Sequence, residues 1–205
     1  MTTSSHHRIA LALTGPLLAA LAVDSVVRAA TGDPTFVTDD SVGPPALGQI
    51  VNLVLAGAVL ALHGVLRSER RTFAGVGRLA RGSRLVLLLS LPLLATGLVV
   101  AGPMLRTLGI DSGPLYDASG LVAFVGLTVS GLAAATLGLT QVRHNELGVG
   151  GRLLPLLLPA GLMTVVLGLV AQPLASPVFV SACMLIGLAT IGVGRVNRAP
   201  DVLAA

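Results

Sequence analysis

Between two long apolar runs lies RSERRTFAGVGRLARGSR, Arg67 to Arg84, which holds six of the thirteen basic residues of the chain. All thirteen are arginine. Loops retained on the cytoplasmic side of a membrane hold the excess of Lys and Arg. The side taken by this stretch therefore sets the direction of every apolar run before and after it.

The runs themselves are too apolar for a soluble protein. Hydrophobic residues make up 54% of the 205 and charged residues 11%, with a mean hydropathy of +0.90. Runs of roughly 17–25 apolar residues with few charges mark transmembrane helices. Six such helices are expected, at about 9–27, 46–66, 85–102, 117–141, 153–171 and 177–193. Because similar runs recur to the C-terminus, the first is not read as a removable signal peptide. The expected fold is an all-α integral membrane protein, one six-helix domain over 1–205, arranged as three helical hairpins with both termini cytoplasmic.

Arginine placement supports that orientation. With both termini inside, eleven arginines fall on the inner side and only Arg28 and Arg106 on the outer. Most acids (Asp24, Asp33, Asp39, Asp40, Asp111, Asp117) fall outside. The heavy use of Ala, Leu, Gly and Arg without Lys points to a bacterium with a GC-rich genome, hence a bacterial plasma membrane. Aromatic residues are 2% of the chain and the arginines sit between apolar runs. The basic stretch is thus expected to meet anionic lipid headgroups at Arg67–Arg84, not nucleic acid. Within it, Phe73, Val76, Leu79 and Ala80 recur at helical spacing, which predicts a short interfacial helix or, equally, a solvated loop.

Three apolar runs open alike. Arg8 leads to Pro16, Arg84 to Pro92 and Arg152 to Pro159. The returning helices each carry glycines seven apart: Gly57 and Gly64, Gly131 and Gly138, Gly187 and Gly194. Glycines at that spacing share a helix face and allow close backbone approach, which drives packing where lipid offers no hydrophobic gain. The prolines free backbone carbonyls that Thr14 or Ser90 are placed to satisfy.

Polar groups within spans are costly and therefore informative. Asp24 lies in the outer part of the first helix, with Arg28 four residues on, suited to an ion pair. Gln49 and Asn52 lie in the outer part of the second, while Arg106, Tyr116 and Asp117 bracket entry to the fourth. All are expected at one outer depth, either lining a pocket or serving as headgroup anchors and caps. His6 and His7 read as an exposed pair. His63 and His144, at one inner depth, invite a bis-His haem, but the aromatics and further histidines of such a site are missing. No metal and no cofactor is expected: GxxxxGK[ST], GxSxG, HExxH and CxxC are all absent. The lone Cys183 excludes a disulfide within the chain.

Asp39-Asp40-Ser41, then Asn52 and Gly57, followed by LLATGLVVAGP from Leu93 to Pro103 and an outer loop with Asp111, resemble a family of six-helix membrane proteins catalogued as domain of unknown function 998. The likeness covers the first five helices. Where that family tends to carry a histidine near the start of its fourth helix, this chain reads SGPLYDASG. The resemblance implies six helices and no established activity. Two functions then compete. The favoured one is a non-enzymatic bundle that binds or passes a small apolar or lipid-like molecule. The alternative is a terpene-cyclase-like membrane enzyme on an isoprenoid or lipid substrate, with Asp24 or Asp117 as proton donor.

Overall fold

The computed structural model describes residues 5–39, 42–110, 112–143 and 145–194. Over these residues the chain is helical, without a strand. The long helices are α1 (Ser5–Thr31), α2 (Pro45–Ser68), α3 (Arg78–Val99), α4 (Pro114–Gln141), α5 (Leu157–Val170) and α6 (Val178–Ala189). Each lies within a span long and apolar enough to cross a bilayer, six in all among the described residues. The protein is an all-α, six-helix, multi-pass membrane protein.

Most helices outrun the apolar stretches that announce them. α3 starts at Arg78, seven residues before the expected Leu85. Hydropathy marks where hydrocarbon lies, whereas backbone hydrogen bonding continues as long as arginines can carry their charge out to water. Arg78, Arg81 and Arg84 therefore sit on the first two turns of α3. The separate interfacial helix expected inside the arginine stretch is not formed. Gly77 is the residue before the first turn of α3, and only 72–77 remain as a connection.

That connection is folded inward rather than solvated. Phe73, Val76 and Ala80 are buried, while Leu79 is 71% exposed. Arg84 Nε donates to the Leu66 carbonyl at 2.9 Å, and its guanidinium lies over the Phe73 ring, 5.4 Å from the centroid. Thr72 Oγ1 donates to Glu69 Oε2 at 2.5 Å. Arg84 thus ties the start of α3 to the end of α2, while Glu69 holds the connection's own turn.

The three leading prolines sit in different settings. Pro16 and Pro92 sit inside continuous helices. Ser90 does not serve a freed carbonyl but accepts a hydrogen bond from Ser130 Oγ at 2.8 Å. Thr14 Oγ1, buried, has no partner among the described residues. The fifth span breaks at Pro155, where Val149–Leu153 gives way to a 3-10 turn at Leu154–Leu156 before α5, and Pro159 falls in the first turn of α5. The third span ends in a π-helical segment, Val100–Met104, that contains Pro103.

Packing runs from neighbour to neighbour, with α2 between α1 and α3, α3 most extensively against α4, and α6 closing onto α1. The α3–α4 seam is the closest. A Cβ at Gly97 would lie 2.5 Å from the Ala123 backbone, and one at Gly126 would lie 2.7 Å from that of Leu94. On the inner face the chain ends meet. His7, buried and not exposed as its neighbour His6 is, brings Nε2 to the Ile191 carbonyl at 2.9 Å and to Glu69 at 3.8 Å. Gly192 N donates to the Leu147 carbonyl at 2.8 Å, and Val149 N to that of Val193 at 2.9 Å. The start of α1, the α2–α3 and α4–α5 connections and the exit of α6 thus share one face, the arginine-rich one.

Candidate functional site

Two places hold polar side chains at membrane depth, one at each face. At the outer face, Asp24 is 1% exposed on α1, and the loop after α1 folds back over it. Asp24 Oδ1 accepts from Thr35 N and Thr35 Oγ1, both at 2.7 Å, and Thr38 Oγ1 reaches both carboxylate oxygens at 3.0 Å. Arg28 NH2 donates to Thr38 Oγ1 at 2.7 Å and lies 3.8 Å from Asp24 Oδ2, the i,i+4 pair that the spacing predicts. These bonds replace the water that a buried carboxylate loses. They also take up its acceptor capacity, and the loop covers it.

The remaining outer residues divide. Asn52 on α2, with Thr38 and Phe36 of the loop and Gly48, lines a small polar hollow of about 140 Å³. Its amide also presses on the π segment, where a Cβ at Gly102 would come 2.7 Å from Asn52 Nδ2. Gln49 is half-buried one turn earlier and does not line that hollow. Arg106 and Tyr116 form their own contact, NH2 to the phenol oxygen at 3.1 Å with the guanidinium 6.0 Å from the ring centroid. Asp117 is exposed in the first turn of α4, where Gly113 rather than Asp117 is the capping residue. Among the described residues the outer polar side chains thus do not gather in one pocket: the Asp24 cluster meets the Asn52 hollow at Thr38, Arg106 and Tyr116 pair apart, and Asp117 is exposed.

The expected packing glycines divide as well. Gly64, Gly138 and Gly187 meet the His6 ring, the Leu154 backbone and the Leu154 side chain respectively, each within 2.8 Å of an added Cβ. Gly57 makes ordinary contact with Leu13, and Gly131 has open space. Gly194 lies beyond the end of α6 in a turn, with φ of +73°. His63 is on α2, whereas its proposed haem partner His144, like Asp40, Ser41 and Asp111, lies outside the described residues. No group of three or more His, Cys, Asp or Glu side chains suited to a metal occurs among the described residues.

At the inner face the feature is a groove, which the hydropathy reading did not anticipate. Two hollows of about 320 and 360 Å³ adjoin along the inner halves of α3 and α4 and share Arg78 and Leu79. The one nearer the arginine-rich face adds Thr140, Gln141 and Glu146. The deeper one is walled by Gly82, Ser83, Val86, Val129, Leu132 and Thr136. Small residues at Gly82 and Ser83 leave the space that the Gly97 and Gly126 contacts remove higher in the same helix pair. Gln141, buried at the end of α4, accepts from Glu146 N at 2.9 Å through Oε1, which holds the following turn against the helix. Neither Arg78 nor Glu146 makes an ion pair among the described residues. Comparison with protein-family models, curated proteins and solved structures gave no match. The likeness to the family catalogued as domain 998 rests on the residues quoted for it, and function must be argued from the groove and the outer cluster.

Proposed function

We propose that this chain is a non-enzymatic protein of a bacterial plasma membrane that binds or passes a small apolar or lipid-like molecule, with anionic lipids gathered at Arg67–Arg84. The observation that carries the reading is the groove between α3 and α4, mostly apolar along its length, with Arg78, Thr140, Gln141 and Glu146 gathered at one end. Ligand sites are concave and mostly apolar, with a few placed polar groups that fix orientation. The outer acids weigh against the enzyme alternative. A proton donor must reach the atom it protonates, yet Asp24 is covered by its own loop and Asp117 is exposed.

The test is to fill the groove. A Cβ at Gly82 meets nothing within 4 Å, so a large side chain can enter there without moving backbone. Gly82→Phe protein, purified in mild detergent beside the wild type, is expected to remain folded and to lose the lipid or isoprenoid that mass spectrometry finds in the wild-type extract. An identical extract from both proteins, or turnover of an isoprenoid that vanishes in Asp24→Asn, would overturn the reading.

A further inference from the structure

We propose that the α3–α4 groove selects a zwitterionic aminophospholipid, its phosphate held by Arg78 and its ammonium by Glu146. The proposal rests on the lipid-binding reading above and names the headgroup. Its starting point is a pair of opposite charges that line one hollow without pairing to each other or to any other described residue. The ion pairs among the described residues are Asp24 with Arg28 and His7 with Glu69, and neither lines this groove. At the groove mouth Arg78 and Glu146 line one hollow of about 320 Å³ with no ion pair between them.

Four further observations fit the same occupant. Arg78 belongs to both hollows, so a group bound to it is continuous with the apolar half. From Arg78 to Val86 the groove follows two turns of α3, about 12 Å at 1.5 Å per residue, enough for the upper part of an acyl chain. Leu79 and Leu132, 71% and 66% exposed, flank it as lipid-facing walls. The first turn of α3 has no side-chain cap, so its free amides add positive potential beside Arg78.

Charge decides between headgroups. A purely anionic lipid would satisfy Arg78 but bring a like charge to Glu146. A choline headgroup carries both charges, but its methylated nitrogen cannot donate a hydrogen bond to the Glu146 carboxylate. A primary ammonium does both, and hydrogen bonds to charged groups are among the stronger ones.

The experiment is native mass spectrometry of the full chain in detergent, titrated in separate arms with phosphatidylethanolamine, phosphatidylglycerol and phosphatidylcholine. Wild-type protein is expected to retain phosphatidylethanolamine with a Kd roughly tenfold below the other two, the factor one charge-assisted hydrogen bond supplies. Glu146→Gln should erase that preference while still binding lipid. Arg78→Gln should weaken all three. Circular dichroism and size exclusion check that both variants fold. Equal retention of the three lipids by wild type, or a preference unchanged in both variants, overturns the headgroup assignment and leaves lipid binding standing. A lipid-free dimer that shields the groove assigns the face to a second copy and overturns it too. If no lipid of any class is retained, the reading beneath it falls as well.

Discussion

The α3–α4 pair is closed at one end and open at the other, and the same backbone geometry serves both. In the outer half, Gly97 against Ala123 and Leu94 against Gly126, with the Ser130–Ser90 hydrogen bond at the middle, leave no room for a side chain between the helices. In the inner third, Gly82 and Ser83 are also small, yet nothing crosses to fill the space they leave. Small residues therefore do two opposite things along one seam. Where a partner's backbone approaches, they close the interface. Where it does not, they leave a cleft to the surrounding lipid. The polar groups follow the same division. Asp24, Arg28 and the threonines of the outer loop bond to one another, while Arg78 and Glu146 do not pair.

The largest effect is expected at Asp24 on α1, the most fully bonded of the outer polar groups. Asp24→Ala removes the acceptor of Thr35 and Thr38 and leaves Arg28 without its counter-charge. Removing one partner of a buried charged network costs about 3–5 kcal/mol. Arg28 is partly exposed, so the lower end of that range is expected. The measurements are thermal unfolding in detergent and protease cleavage within 32–39, which should become rapid. An unchanged melting temperature with an uncut loop would mean that the outer cluster holds nothing in place.

The next effect is steric. Gly126→Leu places a side chain where Leu94 backbone lies 2.7 Å from its Cβ. Overpacking typically costs about 1–3 kcal/mol, and backbone cannot step aside as a side chain can, so the high end is expected. Leucine at Gly131, with open space around its Cβ, should be tolerated within about 0.5 kcal/mol, the range of ordinary surface changes. Equal effects at Gly126 and Gly131 would remove the claim that the seam is closed by contact.

Much of this division is legible before any coordinates, and some of it is not. Six helical spans follow from the apolar runs, because hydrocarbon tolerates nothing else. The Asp24–Arg28 pair follows from helical spacing. The bonds from Thr35 and Thr38 do not, since they depend on how an irregular loop folds back. The heptad glycines point to Gly131, which packs against nothing, and overlook Gly126, which touches Leu94. A better signal was present in the stripe Ser119, Ala123, Gly126, Ser130 and Ala133, small residues three or four apart along one face of α4. The groove was hidden for another reason. Hydropathy starts α3 at Leu85, which turns Arg78 into a loop residue and leaves its side chain no wall to line.

Two small effects sharpen the contrast further. Ser130→Ala removes the hydroxyl hydrogen bond to Ser90 at the closed seam. Such bonds between membrane helices average about 0.6 kcal/mol, because the separated helices find other partners. A shift of that size in the unfolding midpoint is expected, and one several times larger would mean the seam depends on the bond rather than on backbone contact.

The smallest effect is also the most discriminating. Glu146→Gln changes a charge as Asp24→Ala does, but this carboxylate has no cationic partner among the described residues. Its backbone amide keeps the bond to Gln141 whatever the side chain carries. Stability should therefore change by no more than about 0.5 kcal/mol, measured in lipid-free detergent so that no headgroup contributes. A loss approaching that of Asp24→Ala would show that Glu146 is built into the fold, and a charge already committed to the protein cannot be the one that waits for a ligand. A near-zero change in bare detergent, growing when phosphatidylethanolamine is added, is the result that separates a groove from a seam, because only an occupant can couple that carboxylate to the stability of the bundle.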